Sequence, residues 1–354
     1  QTESELFPFT IWTRTIREVL NENQMQLMIN PPCGGVFFLR EAIAKHLKEF
    51  RGMAVLPEQI IVGAGTEYLY GLLIQLLGNE KIYAVENPGY QKIGKIYQSY
   101  KVLCKYIDMD EEGVEISKLE ENQVDIAHIS PSHHYPTGIV MPVSRRYELL
   151  GWAAKSENRY IIEDDYDSEL RLSGQPIPTL QSMDVSDKVI YMNTFTKTLA
   201  STVRISYMIL PRELVQQYYK KLSFYSCTVS NFEQYTLAKF MEEGYFEKHI
   251  NRLRNYYHNK RNTIVETIKK SRLNQYASIS GEEAGVHFLM KIETKKPQEQ
   301  LMENAKAQGI KLSPLSAYYK ENREEIQNTY VMNYSSIELE KIGKVVTRLV
   351  KCCE

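Results

Sequence analysis

VIYMNTFTKTLASTVRISYMIL, Val189 to Leu210, places a single lysine between two apolar, β-rich runs. The first run ends at Thr194-Phe195-Thr196-Lys197, and Arg204 follows seven positions later, where the second begins. A lone lysine is ordinarily solvated surface. Three features argue otherwise here: the strand before it is apolar, hydroxyls flank it, and an arginine follows. Together they suit a group that is at once an aldehyde and a phosphate. A deprotonated lysine forms imines with carbonyls, and a cationic, desolvated site promotes that deprotonation.

Working outward, short β-rich runs alternate with helical stretches from about 57 to 210, the pattern of a mostly parallel sheet covered by helices. Strands are predicted at 59–62, 82–85, 102–107, 125–129, 160–163, 189–192 and 205–210, with helices starting near Thr66, Tyr90 and Val143. Beyond Pro211 the spacing becomes that of long helices, followed by a strand at 285–292 and a last helix at 338–350. Ligands of such sheets sit outside the carboxyl ends of the strands, which brings together the loops at 63–66, 131–138, 164–166 and Lys197.

Each loop has its own chemistry. Gly63-Ala64-Gly65-Thr66 joins a strand to a helix, where free backbone N–H groups and a positive helix end fit a phosphate; glycine serving turn geometry alone is the competing reading. YIIEDDYDSEL ends a buried strand in carboxylates, which are costly there unless they serve a metal, a cation or solvent. Without clustered His or Cys, a cationic ring nitrogen is preferred to a metal, and a solvated acidic loop remains open. His133 and His134 are adjacent, point apart on an extended chain, and read as a hydrogen-bonding pair rather than metal ligands.

At 354 residues two subdomains are expected, with 43% apolar and 25% charged residues at globular averages. A formal net charge of -1 provides no whole-molecule field for nucleic acid or an anionic membrane, so if DNA is a partner this chain is not what grips it. The five cysteines are scattered and lack zinc spacing, so a reduced cytoplasm is expected. No apolar run approaches a membrane-spanning length, and QTESELFPFTIW has neither a basic nor an apolar leader region; the chain is expected to be neither secreted nor anchored. It also lacks an initiator Met, an indication of sequence upstream.

The stretches NPGY (Asn87–Tyr90), SPSHHYPTG (Ser130–Gly138), MPVSRR (Met141–Arg146), YIIEDDYDSE (Tyr160–Glu169) and the Lys197 segment carry a resemblance over nearly the whole chain. It resembles fold-type I pyridoxal-phosphate enzymes of the class I aminotransferase family, and more closely the aminotransferase-like domain of MocR/GabR transcription regulators. The resemblance implies an α/β fold, a mostly parallel central sheet with helices on both faces plus a smaller α+β domain. The implied division is an N-terminal segment (1–40) packing with the small domain, a large pyridoxal-phosphate domain (41–215), and a linking helix with the small C-terminal domain (216–354).

By the same resemblance Lys197 forms the Schiff base, Asp164 pairs with the pyridine nitrogen, Tyr166 bonds the phenolic oxygen, and Tyr90 stacks on the ring. Gly65, Thr66, Thr194, Thr196 and Arg204 hold the phosphate; His133 belongs to the cofactor site; Lys92, Ser335 and Ser336 meet the effector. The chain departs from the family at several points. Ser335 or Ser336 stands where aminotransferases carry the arginine that clamps the substrate carboxylate. Lys92 replaces an arginine, Ser201-Thr202 replaces a Pro-Gly pair, and NPPCGG lacks a dimer-contacting tyrosine. Losing the arginine weakens a bound amino acid by about 1.5–3 kcal/mol. The function implied is effector sensing by a homodimer, in which an amine displaces Lys197 to form an external aldimine. DNA would be bound by an upstream winged-helix part, and transamination would be weak or absent. A freestanding aminotransferase is the alternative reading.

Overall fold

In the computed structural model, residues 4–172, 177–282, 285–321, 323 and 325–354 are described. Eight strands form one sheet: β1 (Ile60–Gly63), β2 (Ile82–Asn87), β3 (Leu103–Asp110), β4 (Gly113–Val114), β5 (Ile126–Ile129), β6 (Tyr160–Asp164), β7 (Val189–Thr194) and β8 (Ser206–Ile209). Their order is β1-β8-β7-β6-β5-β2-β3-β4. Strands β3, β2, β5, β6 and β7 run parallel, whereas β8 is antiparallel to both β7 and β1. Strands buried on both faces read as largely apolar runs, and six of the seven predicted strands lie within two residues of their expected bounds, while the half-exposed β3 runs three residues further than expected.

Pleating divides the strand residues between two helical layers. Ile60, Val62, Tyr191 and Tyr207 pack with the helices Phe37–Arg51 and Asn231–Glu242. On the other face, Ile61, Ile190, Met192 and Met208 pack with the helices Thr66–Leu77 and Arg212–Leu222. The N-terminal helix Phe9–Glu22 sets Trp12 edge-on to Phe240, with centroids 5.3 Å apart. Phe7, Ile11 and Trp12, within the segment expected beside the small domain, thus line the main-sheet core, while Leu6 lines that of the smaller unit.

The smaller unit is an antiparallel sheet in the order β11-β10-β9, from β9 (Ala277–Ser280), β10 (His287–Ile292) and β11 (Thr329–Asn333). The helices Tyr245–Lys269, Gln298–Ala307 and Ile342–Cys353 cover it. The last helix starts four residues later than expected, because Leu339–Lys341 forms a separate 3-10 turn. Along β11, Tyr330 and then Tyr334 belong to this core, with Met332 packed against it. Alternation therefore turns Val331 and Asn333 the other way.

Register explains where a site can form. Thr194 pairs with Ser206, and Ser206 with Gly63, so Lys197, Arg204 and the glycine turn all leave the sheet at one edge. Ile129 pairs with Glu163, and Asp164 with Met192, which brings the loops after β5 and β6 to the same edge.

Candidate cofactor site

A cavity of about 390 Å³ opens at that edge. Lys197, Asp164, Tyr166, Tyr90, Thr66, Thr194, Thr196, Arg204 and Lys92 all line it. Its size is within the range of small-molecule sites.

At one end lies the glycine turn. Gly65 has φ +92°, a conformation that favours glycine, and its bare Cα lets the Arg204 guanidinium approach closely. The helix Thr66–Leu77 starts immediately after it with no side-chain cap, leaving its N-terminal amides to a ligand. Ser206 Oγ donates to Thr194 Oγ1 (2.8 Å), which donates in turn to Thr196 Oγ1 (2.8 Å), so the hydroxyls form an ordered string beside these amides. Glu67 is the ion-pair partner of both Lys92 and Arg204, the latter at 3.8 Å. The Lys92 hydrogen bond holds the Glu67 carboxyl below its usual range. Two cations sharing one carboxylate leave an excess positive charge suited to an anion.

At the other end, Asp164 is 7% exposed. Its Oδ2 accepts from Tyr70 Oη at 3.0 Å and lies 3.4 Å from His128 Nε2. Its buried Oδ1 has no protein partner. A buried carboxylate oxygen without a donor is expensive, so the site calls for a ligand N–H. These features fit a flat aldehyde with a phosphate at one end and a protonated nitrogen at the other.

The rest of the acidic loop does different work. Asp165 accepts from Arg51 (2.9 Å) and Tyr191 Oη (2.7 Å), Glu169 accepts from Asn193 Nδ2 (3.0 Å), and Glu163 caps Leu180 and Gln181 N–H (both 2.9 Å). His133 lies behind the cavity wall: its Nδ1 is 2.8 Å from Asp167 Oδ2 and 3.4 Å from the Tyr166 hydroxyl. It is not among the residues that line the cavity. His134, by contrast, lines the cavity, with Nε2 3.5 Å from Glu86; burial, then the neighbouring His133, push its pKa down to about 3.

Ser335 is not among the described residues that line the cavity. Ser335 is 2% exposed, donates to Asn333 Oδ1 (2.6 Å), and accepts from Lys260 through its carbonyl (3.1 Å). The Ser336 side chain lies outside the described residues. The strand residue lining the cavity is Asn333, and the residue two before it on the same side is Val331, so this face of β11 presents no cation.

Sequence reasoning also missed Glu86, His128, Tyr70 and Tyr135 in the lining. Glu86 was detectable by the signal that revealed Asp164, a carboxylate at the end of a buried strand. His128 and Tyr70 sit inside elements, where they read as ordinary core residues, whereas Tyr135 lies in the 131–138 loop already expected at the site. A segment of the smaller unit closes over the Asn87–Tyr90 turn. Tyr318 accepts from Gly89 N–H through its carbonyl (3.0 Å) and meets the Tyr135 hydroxyl (2.8 Å), and Lys320 N–H donates to Asn87 Oδ1 (2.9 Å). Among the described residues, no group of three His, Cys, Asp or Glu could hold a metal, and no helix is long and apolar enough to cross a membrane.

The family model described as aminotransferase class I and II matches residues 2–330. An uncharacterized HTH-type transcriptional regulator of Bacillus subtilis, YdeL, is 38% identical over 90% of this chain and 68% of its own length. The probable rhizopine catabolism regulatory protein MocR of Rhizobium meliloti is 30% identical over 90% of this chain and 64% of its own. The chain thus spans about two thirds of these relatives. A Pyrococcus horikoshii kynurenine aminotransferase, crystallised with PMP, superposes with a TM-score of 0.85 at 25% identity, covering 99% of this chain and 88% of that one.

Proposed function

Because this chain belongs to the class I and II aminotransferase family, which includes the domain of HTH-type regulators such as MocR, we propose that it binds pyridoxal phosphate through Lys197 and senses an amine effector for a transcription regulator. The observation that carries the reading is the unpartnered Asp164 Oδ1 in one cavity with Lys197 and a cationic mouth. When bound, pyridoxal phosphate supplies an aldehyde for amines and an electron-withdrawing ring.

The residues have separable tasks. Asp164 holds the ring nitrogen, Tyr166 the phenolic oxygen, and Tyr90 covers one face. The glycine turn, Thr66, Thr194, Thr196 and Arg204 take the phosphate, with the arginine fork providing charge-assisted bonds. Lys197 gives way to an incoming amine. Sensing rather than turnover is supported by the cation-free face of β11: without a clamp on the substrate carboxylate, both affinity and the orientation needed for proton transfer are lost. The Tyr318 segment ties the smaller unit to the turn that carries Tyr90, giving occupancy a route to bias two arrangements of the units. DNA contact belongs to an upstream winged-helix part, and a second copy covers the exposed apolar residues Met25, Met28 and Ile29.

The test is borohydride reduction of the protein loaded with pyridoxal phosphate, followed by peptide mapping. Label on Lys197, and loss of the visible absorption in Lys197→Ala, are expected. Label on another lysine overturns the assignment, and turnover of a common amino acid at about one per second or faster replaces sensing by the aminotransferase reading.

A further inference from the structure

Beneath Asp164 lies a buried chain of polar side chains drawn from three elements. His128, on β5, is 2% exposed. Its Nδ1 is 2.6 Å from the Tyr97 hydroxyl on the helix Gln91–Ser99, and its Nε2 is 3.4 Å from Asp164 Oδ2. Tyr70, from the helix Thr66–Leu77, donates to the same Oδ2 at 3.0 Å. A histidine buried among aromatics is more often core filling than machinery. Here, however, both ring nitrogens face polar partners, and one of those partners is the carboxylate whose other oxygen lacks a protein partner.

The arrangement selects one tautomer. A neutral imidazole has one donor and one acceptor nitrogen. Burial, followed by nearby Tyr83, Cys104 and Asp164, holds the Tyr97 phenol protonated far beyond its ordinary range. Tyr97 therefore donates to Nδ1, which leaves the proton on Nε2, facing Asp164. The opposite tautomer would set a nitrogen lone pair against a carboxylate. With Tyr70 and His128 both on Oδ2, the carboxylate is fixed in rotation and Oδ1 is kept for the cavity. Other titratable groups facing this spot are Glu86 from β2 and Tyr166 from the loop after β6, beside Asp164, and Tyr83 from β2 and Cys104 from β3, beside Tyr97.

Resting on the cofactor reading above, we infer that His128, its tautomer set by Tyr97, is a positioning residue that orients Asp164 and thereby sets the protonation of the cofactor's ring nitrogen.

The test compares His128→Phe, His128→Gln and Tyr97→Phe. With pyridoxal phosphate loaded, His128→Phe should weaken retention about tenfold, the scale of one hydrogen bond to a charged group. The pH midpoint of the bound cofactor's visible spectrum should also move, by about half a unit or more. Gln, which keeps a donor, should recover most of both effects, and Tyr97→Phe should shift the midpoint with little loss of retention. Urea unfolding of the cofactor-free variants separates these effects from a fold defect. If the Phe variant does not fold, the Gln and Tyr97→Phe pair still decides the matter. An unchanged midpoint in Tyr97→Phe together with a Gln variant as impaired as Phe overturns the inference. Nitrogen NMR of the cofactor-free protein is independent of the earlier reading: Nε2–H on His128 is expected, and Nδ1–H overturns the inference. No visible absorption in the parent protein would instead sink the cofactor reading itself.

Discussion

Asp164 and Asp165 are consecutive carboxylates, 7% and 2% exposed, and the fold treats them in opposite ways. Asp164 turns to the cavity with one oxygen unpartnered. Asp165 turns to the helical layer, where Arg51 and Tyr191 meet it, and its own N–H donates to the Met192 carbonyl at 2.9 Å. Burial pushes the Asp165 carboxyl up, opposed by Arg51 and the Tyr191 hydrogen bond. Burial alone therefore does not mark a functional carboxylate. The Asp165 carboxylate has its partners within the fold, whereas the open Asp164 oxygen sits on the wall of a cavity able to admit a ligand.

The largest effect expected from this contrast is on stability. Asp165→Ala leaves the Arg51 side chain, 3% exposed, without its ion-pair partner and with the Ser132 hydroxyl as its remaining hydrogen bond, and should cost about 3–5 kcal/mol in urea unfolding of the cofactor-free chain. Asp164→Ala should leave that unfolding nearly unchanged while weakening retention of pyridoxal phosphate and shifting its visible spectrum. Equal destabilisation by both would erase the distinction.

A second test moves charge into the cavity. Asn333→Arg adds a cation on the cavity side of β11 and should tighten α-amino acids by about 1.5–3 kcal/mol, read as a spectral titration of the loaded protein. Ser335→Arg, at a buried position bonded to Asn333, should give no such gain. A gain from position 335 instead would restore the original placement of the missing clamp.

The smallest expected effect is a change in pH dependence at Glu86, a third carboxylate with one firm donor, the Ser130 N–H at 2.9 Å. Burial pushes its carboxyl from 4.5 up to about 8. Between those values the unfolded chain has released the proton and the folded chain retains it, so this group's contribution falls as pH rises through that window. Glu86→Gln should flatten the decline of the melting temperature between pH 5 and 8. A decline as steep as the parent's would mean that Glu86 does not keep its proton.

Legibility followed the same division. Six of the seven predicted strands of the main sheet were readable because burial on both faces leaves a largely apolar run; β3, near the sheet edge, is mostly half-exposed. The antiparallel direction of β8 was not, since either direction buries Ile205–Leu210 equally. Lys197, Asp164, Tyr166 and Tyr90 stood out because each sits in a polar or glycine-rich loop after an apolar strand, and the cavity does collect them. His128, Tyr70 and Tyr97 carried no such signal: each lies within an apolar strand or helix and reads as core.

The sequence by itself determined the seven longer strands of the main sheet, the family, and the set of loops that meet at one sheet edge, because hydrophobic period and motif spacing are local properties of the chain; the short β4 and the strands β9 and β11 were not foreseen. Only the tertiary structure decided which carboxylates are complete and which are open. It also showed that the cavity-side positions of β11 are Val331 and Asn333, and that His133 backs Tyr166 while His134 lines the cavity. Those outcomes depend on which side chains arrive from distant elements, on the face to which the pleat turns each residue, and on how much water is excluded, and none of these is encoded in neighbouring residues alone.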